Sequence, residues 1–175
     1  MEFTLTYQGP LPPRGRGVSP VKAQLRRAFH PQIKGTLEPR LTPSSRPSTT
    51  ETVHGFEFVT PATSSLSTAV ELHVLLLSPP TQRIGDADNR LKTLIDGLTR
   101  PANPEQMQGH TAPAEGGPTF CLLSDDRLVQ RVNLDTRVWH GASNSTESLV
   151  VVTAKIVLSS EVTAHSSMSS LFLLL

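Results

Sequence analysis

Apolar and polar residues alternate through Phe3, Leu5 and Tyr7, which predicts a half-buried strand over 2–7. Ser19-Pro20 supplies a cap and a first-turn proline, and the spacing predicts a helix from there to about His30, with Pro31 as its stop. Val21, Leu25 and Phe29 share one side of that helix, while Lys22, Arg26 and Arg27 fall largely elsewhere. Residues 53–59 and 69–77 read as two further strands, the second carrying Val74-Leu75-Leu76-Leu77 and ended by Pro79-Pro80. A second helix is predicted over 86–98, where Leu91, Leu94, Ile95 and Leu98 recur at i, i+3, i+4 and i+7. Two long strands, 128–139 and 149–158, close the pattern. These elements predict an α+β fold: a mixed β-sheet of about four or five strands with two main helices.

Composition limits how much of the chain that pattern covers. The 175 residues suit one domain, placed at 1–158. Fifteen prolines and only 5% aromatic residues require long loops. The expected loops are flexible inserts at about 38–52 and 99–118, neither of which shows any periodicity, and a Ser-rich tail at 159–175. The net charge of +1 conceals an asymmetry, because residues 1–50 carry eight Lys/Arg against two Glu and the remainder eight against thirteen acids. The basic set, Arg14, Arg16, Lys22, Arg26 and Arg27, is therefore the candidate contact for a phosphate backbone, against the blander reading of a solvated basic arm.

Acidic residues supply the candidate chemistry. Asp86 precedes the second helix, Asp88 is placed to cap it, and Asp88, Lys92 and Asp96 follow one polar face at i, i+4 and i+8. A second acidic pair, Asp125-Asp126, opens the strand that begins at about 128. On residue types alone three readings stay open. They are an ordinary solvated helix face, a hard divalent-cation site built from carboxylates, and the DxD metal motif of sugar-nucleotide transferases.

The series Asp86-x-Asp88-Asn89-x-x-Lys92-x-x-x-Asp96-x-Leu98, followed by Asp125-Asp126-x-x-Val129, resembles the RusA family of Holliday junction resolvases over residues 86–98 and 125–132. That resemblance implies a Mg²⁺-dependent endodeoxyribonuclease that cleaves four-way or related branched DNA in recombination and repair. Carried over by position, Asp86, Asp88 and Asp126 would bind metal and Lys92 would be the catalytic lysine. Asp125 is the weaker candidate of its pair, and Asp96 falls on a further motif position. Paired nicks on a four-way junction would be made by a C2 homodimer. Thr99–Ser124 is longer than the family's spacing, which bears on whether Asp126 reaches the other carboxylates. A non-catalytic DNA-binding remnant of the same fold is the alternative.

Other chemistries find little support. The six histidines show no zinc spacing, and there is no phosphate loop, nucleophile elbow or dinucleotide fingerprint. Cys121 is the single cysteine, so an intrachain disulfide is excluded and a cytoplasmic location is the expectation.

Overall fold

The computed structural model describes residues 1–13, 19–43, 46–81 and 86–159. Arg14 and Arg16, two of the expected DNA contacts, lie outside the described residues, as does the tail from 160 onward. The fold is α+β, as expected, and among the described residues seven strands form two sheets, one of four strands and one of three. Strands β1 (Glu2–Pro10), β4 (Thr68–Ser78), β6 (Val129–Val138) and β7 (Glu147–Leu158) form the larger sheet in the order β1-β7-β4-β6. Its pairs are antiparallel except for β4 and β6, which run parallel from Val70↔Val129 to Ser78↔Val138. The smaller sheet has the order β2-β3-β5, from Thr50–Val53, Phe56–Val59 and Thr119–Phe120.

One face of the larger sheet is buried. Phe3, Leu5 and Tyr7 of β1, Leu72, Val74 and Leu76 of β4, and Val150, Val152 and Ala154 of β7 point into it. Helix α1 (Ser19–Leu37) and helix α3 (Ala87–Leu98) cover that face, α1 contributing Leu25, Phe29, Ile33 and Leu37. A short helix, α2 (Arg46–Thr49), precedes β2.

Three features depart from expectation, each for a physical reason. Helix α1 does not stop at Pro31 but runs through it to Leu37. The proline costs one backbone hydrogen bond, yet it lies on the exposed side, and carrying on buries Ile33 and Leu37 completely. The stretch 53–59 is a hairpin, not one strand, because His54 and Gly55 both take positive φ (47° and 81°) in a two-residue turn. Within 38–52 the described residues form a turn of 3₁₀ helix at Glu38–Arg40, α2 and β2. Among the described residues no helix is long and apolar enough to cross a membrane.

Candidate functional site

Helix α3 is built from the motif stretch, though its cap and buried stripe differ from the reading above. Asp86, not Asp88, is the N-cap residue and makes no side-chain capping bond; Asp88 lies in the first turn, where its charge suits the helix dipole. The buried stripe is Arg90, Thr93, Leu94, Gly97 and Leu98, with Leu91 and Ile95 half-buried at its margin. Arg90 can be inside because its guanidinium donates to Ser78 Oγ at 3.1 Å. At Gly97 α1 comes close: a Cβ there would stand 2.7 Å from Leu25 Cβ.

The two acidic sets come to different places. The first turn of α3 is tied to the Ser78 end of β4 through Arg90. The returning chain is stitched to the far end of the helix, where the Leu98 carbonyl accepts the N–H groups of Leu122 (3.0 Å) and Leu123 (3.2 Å). Arg100 N–H donates in turn to the Leu123 carbonyl at 2.9 Å. This stitching delivers Asp125 and Asp126 beside Asp96. Asp88 is two helical turns away, about 12 Å along the axis at 1.5 Å per residue. Among the described residues no group of three or more His, Cys, Asp or Glu side chains is arranged to hold a metal ion. The gathering of Asp86, Asp88 and Asp126 around one cation is therefore not found.

What the structure does assemble is a small cleft of about 160 Å³ at the C-terminal end of α3, lined by Lys22, Asp96, Arg100, Asp125, Asp126 and Arg127 among others. Lys22 Nζ lies 2.7 Å from Asp96 Oδ2, both side chains being mostly covered. Asp125 caps the single turn Asp126–Leu128 by accepting the Arg127 N–H at 2.9 Å. Asp126 titrates above the ordinary aspartate value. Partial burial is the largest cause, followed by the hydrogen bond and the charge of Asp125 and then the charge of Asp96; Arg127 opposes them. Lys92 is exposed on the face shared by Asp88 and Asp96, one turn from the latter.

The basic residues also divide. Arg27 is exposed, as a phosphate contact requires. Arg26, expected beside it, is instead only 2% exposed. Its guanidinium turns inward and donates to the carbonyls of Thr99 (2.9 Å), Gln106 (3.1 Å) and Asp96 (3.3 Å). It clamps the end of α3 to the 99–118 stretch and does not face outward as a DNA contact would. A second tie lies further along that stretch. His30 Nδ1 accepts the Phe120 N–H at 2.9 Å, which leaves the proton on Nε2 to donate to Glu115 at 2.9 Å. The His30 bond, more than any other contact, holds the Glu115 carboxyl down at about 2.

Sequence reasoning missed Lys22 as the partner of Asp96 and missed Arg100 and Arg127 as cleft residues. Arg127 follows the acidic pair directly and so carried a signal; Arg100 enters only through the backbone stitching. No protein-family model matches the chain, and no curated protein or solved structure is significantly similar to it.

Proposed function

We propose that the protein is a Mg²⁺-dependent endodeoxyribonuclease acting on branched DNA, with its chemistry at the C-terminal end of α3. The observation that carries this reading is the convergence of Asp96, Asp125 and Asp126 in one cleft with Lys22 and Arg127. A carboxyl that burial first, and neighbouring carboxylates second, keep from ionising freely is a place where a divalent cation would offset both costs. Magnesium characteristically takes one or two protein carboxylates and completes its shell with water and substrate phosphate. Asp125 and Asp126 offer that donor set, and an ion held there would supply Lewis-acid polarisation of a phosphoryl oxygen.

The chain's own residues do the rest. Lys22, whose ammonium already sits in the cleft, and Arg127 neutralise a phosphate entering it. Lys92 and Arg27, exposed on α3 and α1, contact the neighbouring backbone without reading sequence. The substrate is a four-way or similar junction, on the strength of the motif resemblance, and the working form is a homodimer in a reducing, cytoplasmic setting. The position of Asp126 beside Asp96, at the opposite end of α3 from Asp86 and Asp88, favours one second reading, a DNA-binding module of the same kind that does not cut.

A labelled four-way junction, incubated with and without Mg²⁺, tests the proposal. Cleavage should require the ion and fall at least about 100-fold in Asp126→Asn, while junction binding persists. The same substitution should raise stability at neutral pH. A carboxyl whose folded pKa is raised is ionised only at a cost, so its contribution worsens as pH climbs past the ordinary aspartate value. Binding without any cleavage supports the second reading. An Asp126→Asn variant that still cuts removes the cleft from the chemistry. Asp88→Asn, assayed alongside, reports whether the carboxylates at the other end of α3 take part on the bound junction, as the resemblance implies.

A further inference from the structure

The two edges of the larger sheet are finished differently. On β1, the backbone of Thr6 is occupied from both sides of its peptide by Gln32 of α1, which accepts the Thr6 N–H at 2.8 Å and donates to the Thr6 carbonyl at 2.9 Å. An edge covered in this way is a poor template for another strand. β6 forms the opposite edge, and among the described residues no strand pairs with its outer side. At its end Val138 stands 46% exposed, a state that among the described residues only Leu158 shares as a large apolar side chain.

The sequence of β6 is self-complementary. Residues directly opposite in an antiparallel pair share a face, so a two-fold axis relating two β6 strands must pass through a residue position. Placed at Thr136, the axis sets Asp135 against Arg137, Leu134 against Val138, and Thr136 against itself. The first two pairs occur twice by symmetry. Opposite charges, apolar pairs and Thr–Thr pairs are the combinations that favour cross-strand association. The faces agree as well: Leu134 and Val138 lie on the core side, across from Val74 and Ser78 of β4. Asp135 and Arg137 lie on the open side, across from Leu75 and Leu77.

Neighbouring registers fail. An axis at Asp135 opposes two carboxylates, and one at Leu134 opposes Arg131 to Arg137. An axis at Asn133 recovers an Arg131–Asp135 pair, but it drives the ladder into Gln130, the extra residue of β6 where the register shifts between Val70 and Glu71. It also sets Val138 against Leu128, which lies outside the strand.

We infer that β6 is a self-docking edge through which two copies of this chain join, antiparallel about Thr136, making one continuous sheet from the two four-stranded sheets. Asp135, now held by His73 at 3.0 Å, gains the guanidinium of Arg137 from the second copy. Arg137, which in the single chain donates to the Thr136 carbonyl at 2.9 Å, gains a carboxylate. Only about five residues from each copy meet, well below the area of a permanent dimer, so the association is weak and concentration-dependent. It gives the proposed homodimer an interface and stands whether or not the protein cuts DNA.

Sedimentation velocity over a range from about 1 µM to about 500 µM reads the association directly. The intact chain should pass from monomer to dimer across that range. Arg137→Asp and Asp135→Arg should each abolish dimerisation by opposing like charges, and the double exchange should restore it. Thr136→Cys should be trapped as a disulfide-linked dimer on mild oxidation, because opposed Cα atoms in such a pair stand about 4.5–5.5 Å apart, within disulfide range. The natural Cys121 is buried and does not compete. A chain monomeric throughout overturns the inference. So does a dimer that ignores both single charge exchanges and is not trapped at position 136.

Discussion

The two ends of α3 carry the same kind of side chain and are built in opposite ways. At the N-terminal end Asp86 and Asp88 are exposed, and the cap residue makes no side-chain capping bond. At the C-terminal end Asp96 is paired with Lys22, its carbonyl is held by Arg26, and the Leu98 carbonyl takes two N–H groups from the returning chain. Identical chemistry thus sits on a loose end and on a fixed one. A site that must hold charged groups in set positions is better served by the fixed end, where packing and hydrogen bonds have already ordered the side chains.

The sharpest way to break that contrast is to remove the clamp. Arg26→Met keeps much of the apolar stem but strips hydrogen bonds from three main-chain carbonyls in a covered site. Hydrogen bonds from a charged donor are worth about 1.5–3 kcal/mol each, and they are not additive here. A loss of about 3 kcal/mol or more in urea unfolding is expected, with hydrogen exchange quickening first at the end of α3. A loss below about 1 kcal/mol would mean that the end is held by packing alone.

Gly97→Ala comes next. Alanine is the better helix former by about 1 kcal/mol, but its Cβ would meet Leu25 Cβ at 2.7 Å, a group too near the backbone to swing aside. Overpacking of this kind costs about 1–3 kcal/mol, so a net loss is expected by thermal or urea unfolding. A stabilised variant would show that α1 and α3 can part without penalty.

Much of this frame is legible in the residues, and the limits have causes. Alternation locates β1, and the apolar runs locate β4 and β7, because each strand sets one face against the core. The 3.6-residue period locates α3 but places its stripe too far round, since Arg90 is buried with its guanidinium donating to Ser78, a contact that no hydropathy pattern announces. Pro31 looks like a terminator because the local cost is visible in the sequence, whereas the compensating burial of Ile33 and Leu37 depends on the sheet beneath. The acidic pairs are recognisable as chemistry. Which of them meet is decided by the backbone bonds to the Leu98 carbonyl, and main-chain stitching leaves no trace in side-chain spacing. Arg26 and Arg27 are neighbours of the same type; only the 99–118 stretch lying over one of them makes it a clamp and leaves the other free.

The wall beside the fixed end also answers to pH. His110 packs against the rings of Phe56 and Phe58, with centroids 5.1 Å from each, and burial followed by the charges of Arg26 and Arg27 lowers its pKa to about 4. The unfolded chain takes up a proton near 6.5, whereas the folded chain waits until about 4, so stability should fall as pH drops through that interval. His110→Gln should flatten the slope of unfolding free energy over the same interval. An unchanged slope would assign the acid sensitivity to another group.

The smallest effect is expected at the loose end, and its smallness is the point. Asp88→Asn removes a negative charge from the first turn of α3, where the helix dipole favours it by roughly 0.3–1 kcal/mol at low salt. Asp88 is exposed, so solvent and ions screen most of that interaction, and a loss of no more than about 0.5 kcal/mol should appear in urea unfolding. Raising the salt to about 1 M, where screening acts within about 3 Å, should erase even this difference. A larger, salt-resistant loss would show that Asp88 holds a contact as firm as those at the other end. The asymmetry between the two ends, and with it the reason for placing the chemistry beside Asp126, would then disappear.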